Sequence, residues 1–302
     1  MTLSRQFQNI SGLGNMRQEK RIVKDFYENY GWKRTEDGVY NDTAAFVDMR
    51  PVMGRYHQRS MGRLAGYFQK GGKLFLDAGC GALASDDYLN IGAGFRQRVC
   101  VDISVNALRE ARGKLGDRAW CVVADISSLP FREDAFDGVF CAHVLYHLPP
   151  TEQAPAAIEL HRVLSRGGRG VIVYTWATCL MTQIALSLNP RILLPKVPGM
   201  RWLWRTFLKP ETKPGAATLP PATEAPPLYF HPQNYDWYQT AVAKQLSVSL
   251  SCWQSVSLPF SQAFVLDRFF SAMLLGMISG MERLCPALMG RIGAYPLFIL
   301  RK

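Results

Sequence analysis

Between Leu74 and Tyr174 the chain alternates two hydrophobic rhythms. Short unbroken apolar runs, Leu74-Phe75-Leu76, Val99-Cys100-Val101, Cys121-Val122-Val123-Ala124, Val139-Phe140-Cys141-Ala142 and Val171-Ile172-Val173, each stop at an acidic or polar residue: Asp77, Asp102, Asp125, His143 and Tyr174. Between several of them the apolar positions take helical spacing, as in Val105, Leu108, Ala111, Leu115 and in Ala157, Leu160, Leu164 ahead of Gly167-Gly168. A strand without polar interruption is buried on both faces, and strands that alternate with helices build a parallel sheet covered on both sides. The predicted class is therefore α/β.

The flanks read differently. Val23, Phe26, Tyr27, Tyr30 before Gly31, and Met61, Leu64, Ala65, Phe68 before Gly71-Gly72, predict two helices, an N-terminal helical cap over residues 1–72. The core strands and helices occupy 73–178. From 179 to 245 the chain reads as an insertion or lid, in which an apolar stretch with interspersed Arg and Lys (Leu180 to Lys209) leads into a segment crowded with prolines between Pro210 and Pro227. Residues 246–302 close the chain: Leu246, Val248, Leu250 and Cys252 alternate with polar or bulky residues as a strand, a last apolar helix runs from Phe264 to Leu284, and a final strand covers Pro296 to Leu300.

Composition narrows the class without naming a chemistry. At 302 residues, 48% hydrophobic and 20% charged, the chain is an ordinary globular one. Its seven cysteines are irregularly spaced with no CxxC pair, which argues against a disulfide framework or a zinc site and points to the cytoplasm; no metal is expected. The lack of a charged-then-apolar leader agrees. A formal charge of +11 suits an anionic partner or simply a solvated surface. Trp202, Trp204 and Phe207 beside Arg201 and Arg205 give the 180–209 stretch an interfacial composition, which predicts either a peripheral membrane contact and a pocket for a hydrophobic acceptor, or a packed helical cap.

The strongest chemical signal is Leu74-Phe75-Leu76-Asp77-Ala78-Gly79-Cys80-Gly81, a strand running into a turn whose two glycines let a ligand approach the backbone. With Ala84 the turn also fits a dinucleotide fingerprint, with Asp102 as the ribose contact. Two carboxylates favour a nucleoside without phosphates. Asp77, directly before the loop, would repel a pyrophosphate but pair with an ammonium, and Asp125 can accept from an adenine amino group.

The stretches LFLDAGCG, VCVDIS, ADISSLPFREDAFDGVF and RVLSRGGRGVIVY, in this order and at this spacing, resemble the successive motifs of class I S-adenosylmethionine-dependent methyltransferases, most closely the ubiquinone-biosynthesis-like (type 11) group. The likeness covers about residues 73–175, and the terminal YPLFILRK resembles that family's last, antiparallel strand. It implies a Rossmann-like seven-stranded sheet of order 3-2-1-4-5-7-6 and S-adenosyl-L-methionine as cofactor. Carried over by position, Asp77, Ala78, Gly79, Cys80 and Gly81 would cradle the methionine part and Asp102 would accept both ribose hydroxyls. Ile103 would pack on the adenine, Asp125 would reach its amino group with Ile126 alongside, and Ala142-His143 would line the fourth strand's end. Leu83 stands where the family often has a third glycine, and SDDYLNIGAGFRQR reads as an insertion.

Methyl transfer needs in-line alignment, and an oxygen or carbon acceptor also needs a base. His147 is the preferred base, with Tyr146 and Tyr174 shaping the acceptor site and Tyr229 and His231 further candidates. Tyr27, Tyr40 and Arg50 would close over the site, Arg50 toward the methionine carboxylate, and the bland reading makes them core and surface residues. The predicted reaction is O-methylation of a small molecule. RNA methylation is the alternative favoured by charge, although no Asn/Asp-Pro-Pro-aromatic element or Pro-Cys nucleophile is present; a non-catalytic cofactor-binding module is a third reading.

Overall fold

The computed structural model describes residues 8–9, 17–188, 225–266 and 269–302. Its centre is a sheet of seven strands: β1 (Gly72–Ala78), β2 (Phe95–Asp102), β3 (Ala119–Val123), β4 (Phe136–Ala142), β5 (Leu164–Val173), β6 (Val248–Gln254) and β7 (Tyr295–Arg301). They lie in the order 3-2-1-4-5-7-6, and the two-residue strand Gln8–Asn9 adds to the outer edge of β3. Strands β1 to β5 are parallel; β7 runs antiparallel to both β5 and β6. This is the expected seven-stranded Rossmann-like arrangement.

The period of two along the strands sorts the core into two faces. Leu76, Ala78, Val99, Val101, Val139, Cys141 and Ile172 pack on α6 (Pro150–Val163) through Ala156, Ala157 and Leu160. On the other face Phe75, Phe140, Val171 and Val173 meet Met61, Leu64 and Phe68 of the α3 region (α3, Pro51–Gly66). There Cys100, Cys121 and Val123 pack on α5 (Val105–Leu115), whose N-cap Ser104 accepts from Ala107 N. α1 (Gln18–Phe26), continued by a wide turn at Tyr27–Gly31, and α2 (Asn41–Phe46) come before α3.

Several boundaries shift from those the pattern predicts. The helix expected near Met61 begins at Pro51, because Pro at the first helical position starts it ten residues earlier than its apolar spacing announces. The insertion-like SDDYLNIGAGFRQR is no insertion. It holds α4 (Asp86–Asn90) and the first half of β2, whose polar Arg96 and Gln97 hide the strand. The last helix, expected from Phe264, is α9 (Phe269–Leu284); a separate short helix, α8 (Leu258–Phe264), precedes it and α10 (Pro286–Ile292) follows. Of the stretch 180–209, α7 (Leu180–Ser187) is described; Trp202, Trp204, Phe207, Arg201, Arg205 and most of the proline-rich segment lie outside the described residues.

Candidate active site

In a sheet whose strands are buried along most of their length, the carboxyl ends of the parallel strands surface as a partly exposed row. It comprises Gly79, Cys80, Asp102, Ile103, Asp125, Ala142, His143 and Val144. Ligands of open parallel sheets bind there, where the strand order reverses. Here that point lies between β1 and β4, since β1 pairs with β2 on one side and β4 on the other.

Gly79 and Gly81 both take positive φ, 70° and 55°, and a Cβ would stand 2.3 Å from Val144 Cγ2 on the first and 2.4 Å from Trp32 Cζ2 on the second. Only glycine fits this turn. The loop is held from below: Gly79 N and Cys80 N donate to Val101 O (2.7 and 3.0 Å), and Gly81 N donates to Asp102 Oδ2 (2.9 Å). With these three N–H groups spent, the loop offers none of them to a pyrophosphate, which sets the dinucleotide reading aside. Leu83 resolves the missing third glycine by adopting φ 50° itself, at a cost of about 1–2 kcal/mol. Burial among Leu108, Ala111 and Leu115 and two bonds from Lys114 Nζ to Ala82 O and Leu83 O (2.7 and 2.8 Å) hold it there.

Asp77 is where the sequence reading needs correcting. Its Oδ2 is taken by Arg98, through Nε at 3.0 Å and through Nη2, and both side chains are buried. The same guanidinium donates to Tyr88 O and Ile91 O at 3.0 Å, closing the carboxyl end of α4. Asp77 points to the face opposite α6, as its neighbour Phe75 does, so it fastens the loop to α4 instead of meeting an ammonium. Burial pushes its carboxyl up, against the pull of the guanidinium.

Asp102 stays at the rim. Its Oδ1 accepts from Ser104 N (2.8 Å) and its Oδ2 from Gly81 N, which leaves further lone pairs on both oxygens for hydroxyl donors. Burial raises its pKa to about 6 in spite of these bonds. Binding that requires the ionised carboxylate is therefore expected to weaken as pH falls through about 6. Titrating S-adenosylhomocysteine affinity by calorimetry between pH 5 and 8, roughly the range in which such a group changes charge, should show that loss, and Asp102→Asn should remove the pH dependence along with at least tenfold of the affinity. A flat profile in the parent protein would exclude Asp102 as the ligand.

At the end of β3, Asp125 Oδ1 accepts from Ser127 N (2.9 Å) and Oγ (2.8 Å), while Oδ2 pairs with the buried Lys20, which also grips Glu152. Lys20 thus pins α1 across the β3 end. Ile103 is partly exposed beside this cluster and Ile126 is core.

The catalytic candidates separate in the same way. Tyr174 is fully buried, donates to Gln153 Oε1 (2.7 Å) and accepts from Gln233 N (2.8 Å); its hydroxyl is committed to the core and it leaves the catalytic set. His147 is 6% exposed. Its Nδ1 lies 2.7 Å from Tyr229 O, so that nitrogen carries the proton, and Nε2 lies 3.3 Å from Tyr27 Oη, which donates to Asp42. Burial lowers its pKa to about 4. With Nδ1 spent on Tyr229 O and the ring buried, His147 fastens the 229 segment. Tyr229 and His231 serve through their backbones, His231 N donating to Tyr146 O at 2.8 Å. Arg50 binds Asp48, Val265 O and Ser261 O, away from the loop, and Tyr40 donates to Glu110.

What assembles at the end of β4 is an aromatic wall. His143, at a left-handed φ of 62°, has Trp253 5.0 Å, Tyr295 5.6 Å and Tyr146 6.3 Å from its ring centre. Strain of that kind in a non-glycine residue collects at functional sites. Opposite stands a residue that no periodicity announced. Asp42, near the start of α2, is met by Tyr27 Oη at 3.3 Å and has no cationic partner among the described residues. Burial raises its pKa to about 6, and its charge reaches the Tyr88 and Tyr146 hydroxyls. Two indole N–H groups, of Trp32 and Trp253, are buried without an acceptor, one against Gly81 and one beside His143. Orphaned donors of this kind ask for a ligand atom.

Comparison with known proteins fits this geometry. The methyltransferase domain family matches residues 76–172. Curated relatives include an uncharacterised protein of Methanocaldococcus jannaschii, 37% identical over 33% of this chain and 40% of its own. Probable tRNA methyltransferase 9B of Mus musculus is 30% identical over 48% of this chain and 30% of its own. 24-methylenesterol C-methyltransferase 2 of Arabidopsis thaliana is 30% identical over 36% and 30%. The chain thus spans 30 to 40% of the length of these relatives. Among solved structures, geranyl diphosphate C-methyltransferase of Streptomyces coelicolor A3(2) shares the fold, with TM-score 0.52, 15% identity, and coverage of 94% of this chain and 98% of that one. The stretch from Leu76 to Ile172 therefore belongs to the class I S-adenosylmethionine-dependent methyltransferases, in their type 11 group.

Proposed function

We propose that this chain methylates a hydroxyl on a small, largely apolar acceptor, with Asp42 receiving the proton. The observation that carries the reading is Asp42 itself, a carboxylate with no cationic partner among the described residues, bonded to Tyr27 and close enough for its charge to act on the Tyr146 hydroxyl of the aromatic wall. The residues present suit the cofactor: the glycine turn leaves room for close approach, Asp102 offers acceptors for ribose hydroxyls, and the unpaired Trp32 N–H stands beside Gly81 to meet a carboxylate. When bound, S-adenosylmethionine supplies an electrophilic methyl group.

The chain's own residues do the rest. The rings of Tyr146, Trp253 and Tyr295 exclude water and hold an apolar acceptor, and the Trp253 N–H gives it one directional bond. An acceptor hydroxyl held there would pass its proton to the Asp42 carboxylate as its oxygen takes up the methyl group that the cofactor supplies. A half-buried carboxylate with a pKa near 6 is well matched to that task near neutrality.

RNA methylation is the second reading, favoured by the names of several relatives and by the charge of +11. The wall argues against it. Polynucleotide binding needs uncommitted cations, and Lys20, Arg98 and Lys114, at the strand ends and the glycine turn, are tied to protein carboxylates or carbonyls. Supplying cofactor labelled in its methyl group to extracts and separating organic-soluble material from bulk tRNA decides the matter. Label is expected in the organic phase; label in the tRNA alone would overturn the small-molecule reading.

A further inference from the structure

α9 carries its apolar residues on the wrong side as well as the right one. Leu275 and Ile278 are buried against α3 and α8, together with Ser271, Ser279 and Glu282. Its outer face shows Phe270, Met273, Met277, Met281 and Leu284, spaced three or four apart and each about half exposed or more, up to 83% for Leu284. A helix on the surface of a globular protein ordinarily turns polar residues outward, and a contiguous apolar stripe marks a contact surface.

The stripe has neighbours of the same kind. Phe46, Val47 and Met49 are exposed on the turn after α2. That turn is fixed to the residues just ahead of α9 by Asp48 Oδ2 accepting from Ser261 Oγ (2.6 Å) and by Arg50 donating to Val265 O (2.8 Å). The apolar surface thus starts beside the helix that bears Asp42.

Charge says what covers it. Across α3, α7, α8, α9 and α10 the charged residues are Arg55, Arg59, Arg63, Arg283, Arg291 and Glu282, and Glu282 is buried against Arg63, Tyr56 and Ser255. Arg283 stands within the stripe, and Arg55 and Arg59 are exposed on the adjacent α3. An apolar face rimmed by arginines, with no accessible carboxylate among the described residues of these helices, complements an anionic, apolar surface, which is what a bilayer with acidic headgroups presents. No single helix among the described residues is long and apolar enough to cross a membrane, and α9 and α10 meet at a bend of 117°, a shape that lies along a surface. We infer that α9, with the Phe46–Met49 turn, docks this protein on an anionic lipid surface. The inference stands apart from the identity of the methyl acceptor.

The test is flotation of the full chain with vesicles of phosphatidylcholine alone or mixed with phosphatidylglycerol, at low and high salt. The parent protein is expected to float with the mixed vesicles, less with neutral ones and less at high salt, and Met273→Glu/Met277→Glu/Met281→Glu should lower binding about tenfold or more. These side chains are exposed, and circular dichroism checks the fold; should the triple variant fail to fold, Arg55→Glu/Arg59→Glu is expected to reduce binding to mixed vesicles alone. Three results would overturn the inference. One is no binding by the parent. Another is undiminished binding by the variants, which would put the contact elsewhere in the chain. The third is a dimer, seen by size-exclusion chromatography, that the triple variant dissociates while vesicles are ignored.

Discussion

Asp42→Asn is expected to lower kcat by about 10²- to 10⁴-fold, the range in which a positioned base contributes, while leaving S-adenosylhomocysteine affinity within about twofold. The split matters because Asp42 meets Tyr27 and Asp102 meets the glycine turn. A residue that served the cofactor would move both numbers. The parent enzyme, measured with cofactor saturating, should show kcat/KM rising with pH through about 6, since the base must be ionised and burial holds its pKa there. In the asparagine variant that limb should vanish. Equal activity in variant and parent would remove Asp42 from the chemistry.

The same substitution is expected to stabilise the fold. Burial raises the Asp42 pKa from 3.8 to about 6, so the folded chain holds its proton more tightly than the unfolded chain does. The contribution of that proton is fully present below about pH 4 and is lost as pH rises through about 6. At pH 8 an ionised carboxylate sits against Tyr27 with no cationic partner among the described residues, and asparagine relieves it by something on the order of 1–3 kcal/mol. A gain in melting temperature together with a loss of turnover is the mark of a group placed for reaction and not for folding.

How far the sequence reaches is set by the kind of signal each feature leaves. Unbroken apolar runs ending in Asp77, Asp102 and Asp125 leave no second interpretation, and the strands stand where those runs lie. Polar Arg96 and Gln97 at the start of β2 break such a run, so the strand looked half as long. Side-chain direction was harder. Asp77 and Asp102 end similar strands, yet one turns to Arg98 inside the protein and the other to the rim, because Arg98, in register with Phe75 two residues before Asp77, is long enough to reach the Asp77 carboxylate on the same face. His147 sat at the right strand end and has its Nδ1 consumed by Tyr229 O, a partner 82 residues away. Asp42 lies in a six-residue helix with no buried residue, and so carries no periodic signal at all. Only long-range folding brings it to Tyr27, Tyr88 and Tyr146.

Arg98→Met is expected to cost about 3–5 kcal/mol of stability, because it strands the Asp77 carboxylate in the core with no compensating charge. It also strips three bonds from the end of α4, at Tyr88 O, Leu89 O and Ile91 O. Asp77→Asn should cost less, since Arg98 keeps those carbonyls, and the double variant should be more stable than the sum of the two single effects predicts. Urea denaturation of the four proteins measures this directly. The outcome also separates the two roles open to Asp77. As a ligand for the cofactor's ammonium it would give a variant of nearly parental stability and much poorer affinity. As the anchor of the glycine loop it gives a variant whose stability falls first, with cofactor affinity falling only as far as the turn at Gly79 and Gly81 loosens. An Arg98→Met protein within about 1 kcal/mol of the parent would mean that the pair is not what holds the loop, since breaking a buried ion pair is costly wherever the remaining charge stays buried.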